Sequence, residues 1–94
     1  MKALDPLLHS QLRLAVVSLL VKHDKLDFRY LKEKTESTSG NLSVQLKKLQ
    51  EAGYIEVSKA FKNNYPLTTC RISEKGLQAF EAYIKTISEY LDLE

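Results

Sequence analysis

A chain of 94 residues, with 44% hydrophobic and 28% charged side chains, has the composition of one folded domain with a single core rather than of a disordered segment. Its net charge of +2 is nearly neutral, but residues 37–71 hold Lys47, Lys48, Lys59, Lys62 and Arg71 against Glu51 and Glu56, whereas the chain from Pro66 onward carries a small acidic excess. A basic middle points weakly toward a polyanion, because solvated surfaces also produce such fluctuations.

Other classes are excluded by what the sequence lacks. The longest apolar stretch, Leu14 to Val21, is broken by Ser18 and ended by Lys22, well short of the roughly 20 residues a membrane span requires. Asp5 and Pro6 interrupt the apolar run that a signal peptide needs, so a cytoplasmic protein with no membrane partner is expected. The single cysteine, Cys70, rules out an intrachain disulfide framework and a multi-thiolate zinc site within one chain, and His9 and His23 stand apart from any group at metal-ligand spacing. The scattered Gly40, Gly53 and Gly76 form neither a dinucleotide fingerprint nor a phosphate loop. No cofactor, metal or catalytic machinery is expected.

In chain order, Leu12, Ala15, Val16, Leu19 and Leu20 lie on one stripe of a helix from about His9 to Lys22, with Asp5 and Pro6 as an alternative start. His23-Asp24-Lys25 reads as a polar turn, and Asp27 caps a short second helix that carries Phe28 and Leu31 inward and ends by Thr35. After the turn formers Glu36 to Asn41, the spacing of Leu42, Leu46 and Leu49 predicts a third helix. Its cap is placed at Thr38, with Ser37 and Ser39 as near alternatives, and its end at Gly53.

Beyond Gly53 the period changes from helical to alternating: Ile55 and Val57 face one way, Glu56 and Ser58 the other. Residues 62–66 read as a turn, and Thr68, Cys70 and Ile72 alternate along a second strand, giving a hairpin. Ser73 caps a last helix in which Leu77, Phe80, Ile84, Ile87 and Leu91 follow the alternating spacing of a helix seam. The predicted class is therefore mainly α with a small β-hairpin (α+β): a single winged helix-turn-helix domain over 1–94 in the order helix-helix-helix-strand-wing-strand-helix. Residues 1–22 supply the N-terminal helix, 27–53 the helix-turn-helix, 54–72 the wing hairpin and 73–92 a C-terminal dimerisation helix.

The run Leu42-Ser43-Val44-Gln45-Leu46-Lys47-Lys48-Leu49-Gln50-Glu51-Ala52-Gly53-Tyr54-Ile55 resembles the recognition helix and first wing strand of MarR-like and ArsR-like transcription regulators. Cys70-Arg71-Ile72-Ser73-Glu74-Lys75-Gly76 is similar to the strand end and capped helix start of the same regulators. The resemblance implies a small single-domain member. Phe61-Lys62-Asn63-Asn64-Tyr65 stands where the wing in those families often carries an Asp-x-Arg element, and the cysteine-rich sensing motif of the ArsR type is missing. Neither a drug pocket nor a metal site carries over.

The stripe Leu42, Leu46 and Leu49 fixes the buried side of the third helix, so the opposite face presents Gly40, Val44 and Lys47, flanked by Asn41, Ser43 and Lys48. In a major groove, Asn41 and Gln45 suit adenine, Val44 a thymine methyl, and Lys47 or Lys48 guanine or phosphate. Ser39 and the helix N-terminus suit a phosphate. The bland alternative is an ordinary solvated helix face. Lys59, Lys62, Asn63 and Asn64 are the wing candidates for the backbone or minor groove, against a plain solvated turn. Cys70 reads as a small buried hydrophobe.

The leading expectation is a sequence-specific regulator that binds double-stranded DNA as a homodimer, since one recognition helix covers too few bases to specify a site. Leu7, Leu8, Tyr83, Ile84, Ile87, Tyr90 and Leu91 are the expected dimer contacts. Packing of the last helix against the first within one chain is the alternative, and a winged-helix protein-docking module is the alternative function.

Overall fold

The computed structural model describes residues 2–92 and contains α1 (Gln11–Lys22), β1 (Lys25–Asp27), α2 (Phe28–Thr35), α3 (Ser39–Glu51), β2 (Ile55–Lys62), β3 (Tyr65–Ile72) and α4 (Glu74–Leu91). The strands form one antiparallel sheet in the order β1-β3-β2. The helices and one face of this sheet enclose a core of Leu8, Val16, Val17, Leu20, Leu31, Leu42, Leu46, Leu49, Ile55, Cys70 and Tyr83.

Several boundaries follow from side-chain caps. Asp27 accepts the Tyr30 amide (2.8 Å) and starts α2, Thr38 accepts the Asn41 amide (3.1 Å) and starts α3, and Ser73 accepts the Gly76 amide (3.0 Å) and starts α4. Glu36 closes α2 with a left-handed backbone (φ 54°), and Gly53 (φ 78°) turns the chain from α3 into β2.

Two local differences from the sequence reading have simple causes. His23-Asp24-Lys25 is not wholly a turn: Lys25 begins β1, which pairs Leu26 with Cys70 and ends at the residue that caps α2. Three residues are too few to show an alternation. The wing turn is confined to Asn63 and Asn64, whose positive φ values (52° and 66°) make a two-residue hairpin, so Lys62, Tyr65 and Pro66 are strand residues. Pro66 sits opposite Phe61, one position beyond the pair that flanks the turn, where no ladder N–H is required.

The orientation of α4 corrects a larger expectation. Leu77 does not close over the core: Gly76, Tyr83 and Thr86 are buried instead, with Ala79, Phe80 and Ile87 half-buried, while Leu77 (38%), Ile84 (44%) and Leu91 (81%) remain exposed. The cause lies at the start of the helix. Ser73 donates its amide to the Tyr54 carbonyl (3.1 Å) and its hydroxyl to the Gly53 carbonyl (2.5 Å), and Gly76 lies directly against Tyr54. With Gly76 facing inward, the residues at helical spacing from it, Ala79, Tyr83 and Thr86, must follow.

The N-terminal segment also packs inside the chain. Leu8 is fully buried, and Tyr83 is buried with its hydroxyl 3.0 Å from His9 Nδ1. Both were expected at a dimer contact, yet neither has appreciable area to offer a second copy. Tyr90 donates its hydroxyl to the Lys2 carbonyl (3.0 Å) but stays exposed, and Leu7 is half-buried, so each makes contacts within the chain and keeps surface outside it. Tyr54 donates to Asp5 Oδ2 (2.5 Å), and burial, reinforced by that hydrogen bond and by the carboxylate charge, pushes its phenol up to about 12. Cys70 is buried as expected, and desolvation pushes its thiol up to about 11, which opposes thiolate formation.

The radius of gyration, 14.2 Å, exceeds the roughly 12 Å expected for a compact chain of this length, and the longest dimension is 56 Å. The exposed wing from Lys59 to Pro66 and the exposed end of α4 account for the elongation.

Candidate nucleic-acid interface

Helix α3 is held against the core by Leu42, Leu46 and Leu49, and this single stripe determines what remains outside. Ser39, Gly40, Asn41, Ser43, Val44, Lys47 and Lys48 are all exposed, Val44 at 51%. Val44 is the one large apolar side chain among these exposed residues. Ser39 and Gly40 occupy the first turn, where the helix dipole is positive.

Gln45 differs from its neighbours and from the expectation that it faces a base. It is half-buried, with Oε1 accepting from Arg13 Nη1 and Nε2 donating to Asn41 Oδ1 (3.0 Å). Arg13 also donates through Nε to the Leu7 carbonyl (2.6 Å), so a guanidinium from α1 ties the N-terminal segment to α3. The physical reason is position: Gln45 lies at the edge of the buried stripe, facing α1, where an unpaired amide would be costly.

The wing begins where the core ends. Along β2 and β3 the inward face runs through the pairs Ile55 with Ile72, Val57 with Cys70, Lys59 with Thr68 and Phe61 with Pro66. The first two pairs pack on the core, and Lys59 and Thr68 instead line a groove with Ser43, Lys47 and Gln50 of α3, floored by Phe28, Leu46 and Val57. Lysines from two elements, Lys47 and Lys59, thus share one groove between the exposed helix face and the wing. Lys62, Asn63 and Asn64 lie at the exposed tip, beyond that groove, and Lys48 is exposed on α3 outside it.

Two placements escaped the sequence reading. Thr68 joins the groove because register places it opposite Lys59. Arg13 reaches α3 by a contact 32 residues apart in sequence, for which local pattern gives no signal. Phe61 (78% exposed) and Tyr65 (75%) stand uncovered on the wing. The alternation Val57, Lys59, Phe61 was available as a signal for Phe61, but the strand outruns the core.

A three-helix unit with an antiparallel wing and a basic groove beside its exposed third helix defines the winged-helix class. Residues 12–91 match the family model described as a winged helix DNA-binding domain, and the chain belongs to that family. It is 39% identical over 79 residues to an uncharacterized protein of Methanocaldococcus jannaschii, covering 84% of this chain and 86% of the other. The structure of a transcriptional regulator homologue from Pyrococcus horikoshii OT3 superposes with a TM-score of 0.78 at 26% identity, covering 93% of this chain and 89% of that one. A MarR-family transcriptional regulator from Silicibacter pomeroyi gives a TM-score of 0.71 at 16% identity over 92% of this chain and 57% of its own, a likeness of fold. The resemblance carried by the two sequence motifs and the predicted fold class both agree with these findings.

Proposed function

We propose that this protein is a sequence-specific transcriptional regulator that binds double-stranded DNA as a homodimer, with α3 in the major groove and the wing on the backbone or minor groove. The observation that carries the reading is the continuous exposed face of α3 joined to the wing through the groove shared by Lys47 and Lys59. A duplex presents base edges in a groove wide enough for a helix, bordered by phosphates that such lysines neutralise. The family points to a non-enzymatic role. No described helix is long and apolar enough to cross a membrane.

Support for two copies comes from α4. Leu77, Ile84 and Leu91 recur every seven residues on its exposed side, the spacing at which one helix meets another in a left-handed seam. Pairing these ridges across a twofold axis sets two α3 helices on the same side of the DNA.

Titration of duplex binding against salt tests the reading. Affinity falls steeply with salt because each neutralised phosphate releases counterions, and Lys62→Ala lowers affinity for all sequences alike and flattens the log-log slope by about one unit. An unchanged slope removes Lys62 from the contact set. Absence of duplex binding at low salt rejects the proposal in favour of a docking module.

Val44→Ala changes preference at one base position by about 1 to 3 kcal/mol, through loss of a thymine-methyl contact, with thermal stability nearly untouched. Comparison of binding across a set of single-base operator variants, with melting measured alongside, checks both halves of this expectation. Lower stability with unaltered preference assigns Val44 to packing.

A further inference from the structure

The hydrogen bonds around Gln45 have a direction, and it is set by chemistry. A guanidinium has donors only, so the Gln45 atom facing Arg13 must be the carbonyl oxygen. The Gln45 amide nitrogen is thereby turned toward Asn41, where it requires an acceptor, and the Asn41 carbonyl oxygen supplies it at 3.0 Å. What remains outward on Asn41, an exposed residue in the first turn of α3, is its NH2 group. Arg13 is itself anchored by the Leu7 carbonyl (2.6 Å) and half-buried, so the polarity of the relay originates inside the domain.

We infer that Arg13 is a positioning residue for base recognition: through Gln45 it makes Asn41 a hydrogen-bond donor toward DNA, so that the base Asn41 faces is read by its acceptors. The inference rests on the DNA-binding reading above and specifies what that site selects. Paired recognition of adenine by an asparagine needs the carbonyl oxygen to accept from the adenine amino group while the NH2 donates to N7. Here that oxygen already accepts from Gln45 Nε2 and is turned along the helix toward it, so one lone pair is left and the NH2 group is what faces outward. Guanine, which offers two acceptors, O6 and N7, and no amino group on its major-groove edge, is the best match, ahead of thymine with its single acceptor O4. Arg13 needs no contact with DNA to exert this effect.

The decisive variant is Gln45→Glu. It retains the size of the side chain and an acceptor for Arg13, but the new carboxylate has no donor to offer Asn41. The Asn41 amide then turns, its nitrogen donating inward and its oxygen facing out, and the preferred base becomes one with a major-groove amino group, adenine or cytosine. The added negative charge lowers affinity for all duplexes alike and therefore does not imitate a change in preference.

Sites selected from a random duplex library by the unmodified protein, Asn41→Ala, Gln45→Glu and Arg13→Met test this, with each protein's melting recorded. The expected result is one position where the unmodified protein favours guanine, where Asn41→Ala loses the preference and where Arg13→Met relaxes it. At that position Gln45→Glu switches the preference by about fivefold or more. Gln45→Glu leaves the Leu7 contact of Arg13 in place, so it remains informative if Arg13→Met folds poorly. Selective binding in which Gln45→Glu and Asn41→Ala keep the original preference at every position overturns the inference and leaves the DNA-binding reading standing. Binding without any sequence preference in the unmodified protein overturns both.

Discussion

Gly76→Ala is expected to lower the stability of the fold by about 3 kcal/mol, or roughly 15 °C in melting temperature for a domain of this size. A Cβ at position 76 would lie 2.1 Å from the Tyr54 carbonyl oxygen and 2.9 Å from its carbon. The obstacle is backbone, and it is held from several sides. The Tyr54 amide donates to the Leu49 carbonyl (2.9 Å), its carbonyl accepts from Ser73 (3.1 Å) and its hydroxyl donates to Asp5 (2.5 Å). Relief therefore requires α4 to move off the start of β2, carrying Tyr83 and Thr86 away from the core. Denaturant unfolding of the variant checks the size of the loss. Gly40→Ala is the control, because nothing lies within 4 Å of a Cβ there and the position is exposed on a helix. Equal effects of the two substitutions would show that helix propensity, rather than the Tyr54 contact, governs position 76.

Ile84→Glu is expected to give a folded monomer whose affinity for a two-half-site operator is about a hundredfold weaker or more, since joining two modules raises affinity by that order without a new contact. The single chain leaves one apolar ridge of α4 uncovered. Ile84 is 44% exposed and lies between Leu77 and Leu91 on the outward face of α4, whereas Ile87 packs partly on the core. A carboxylate at position 84 stays solvated in the monomer and is stranded in a paired seam, so it separates folding from assembly; at position 87 it disturbs both. Sedimentation and melting measured together decide the matter. The dimer proposal fails if the unmodified protein sediments as a monomer at tens of micromolar, or if the variant remains dimeric.

The exposed ridge differs from the interface expected from the sequence in an instructive way. Spacing along the last helix groups Leu77, Phe80, Ile84, Ile87 and Leu91 on one seam, and spacing alone does not say which edge of a broad apolar stripe faces inward. The Gly76 contact with Tyr54 settles the rotation, burying Tyr83 and Thr86 and turning Leu77, Ile84 and Leu91 out. Leu8 moves from the expected interface to the core for a related reason: the N-terminal segment is tied back by Asp5 to Tyr54 and by the Leu7 carbonyl to Arg13.

On α3 the sequence was more informative. Leu42, Leu46 and Leu49 bury one side whatever surrounds them, so the exposure of Asn41, Ser43, Val44, Lys47 and Lys48 follows from helical period, and the caps at Asp27, Thr38 and Ser73 follow from short-range chemistry. These features are local, decided within one or two turns of chain. The pairing of Leu26 with Cys70, the placing of Lys47 and Lys59 along one groove, the rotation of α4 and the capture of Gln45 by Arg13 depend on residues far apart in sequence. They were left to the tertiary structure because a repeating pattern specifies which face of an element is apolar, whereas its partner is selected by packing and by the requirement that buried polar groups be hydrogen-bonded.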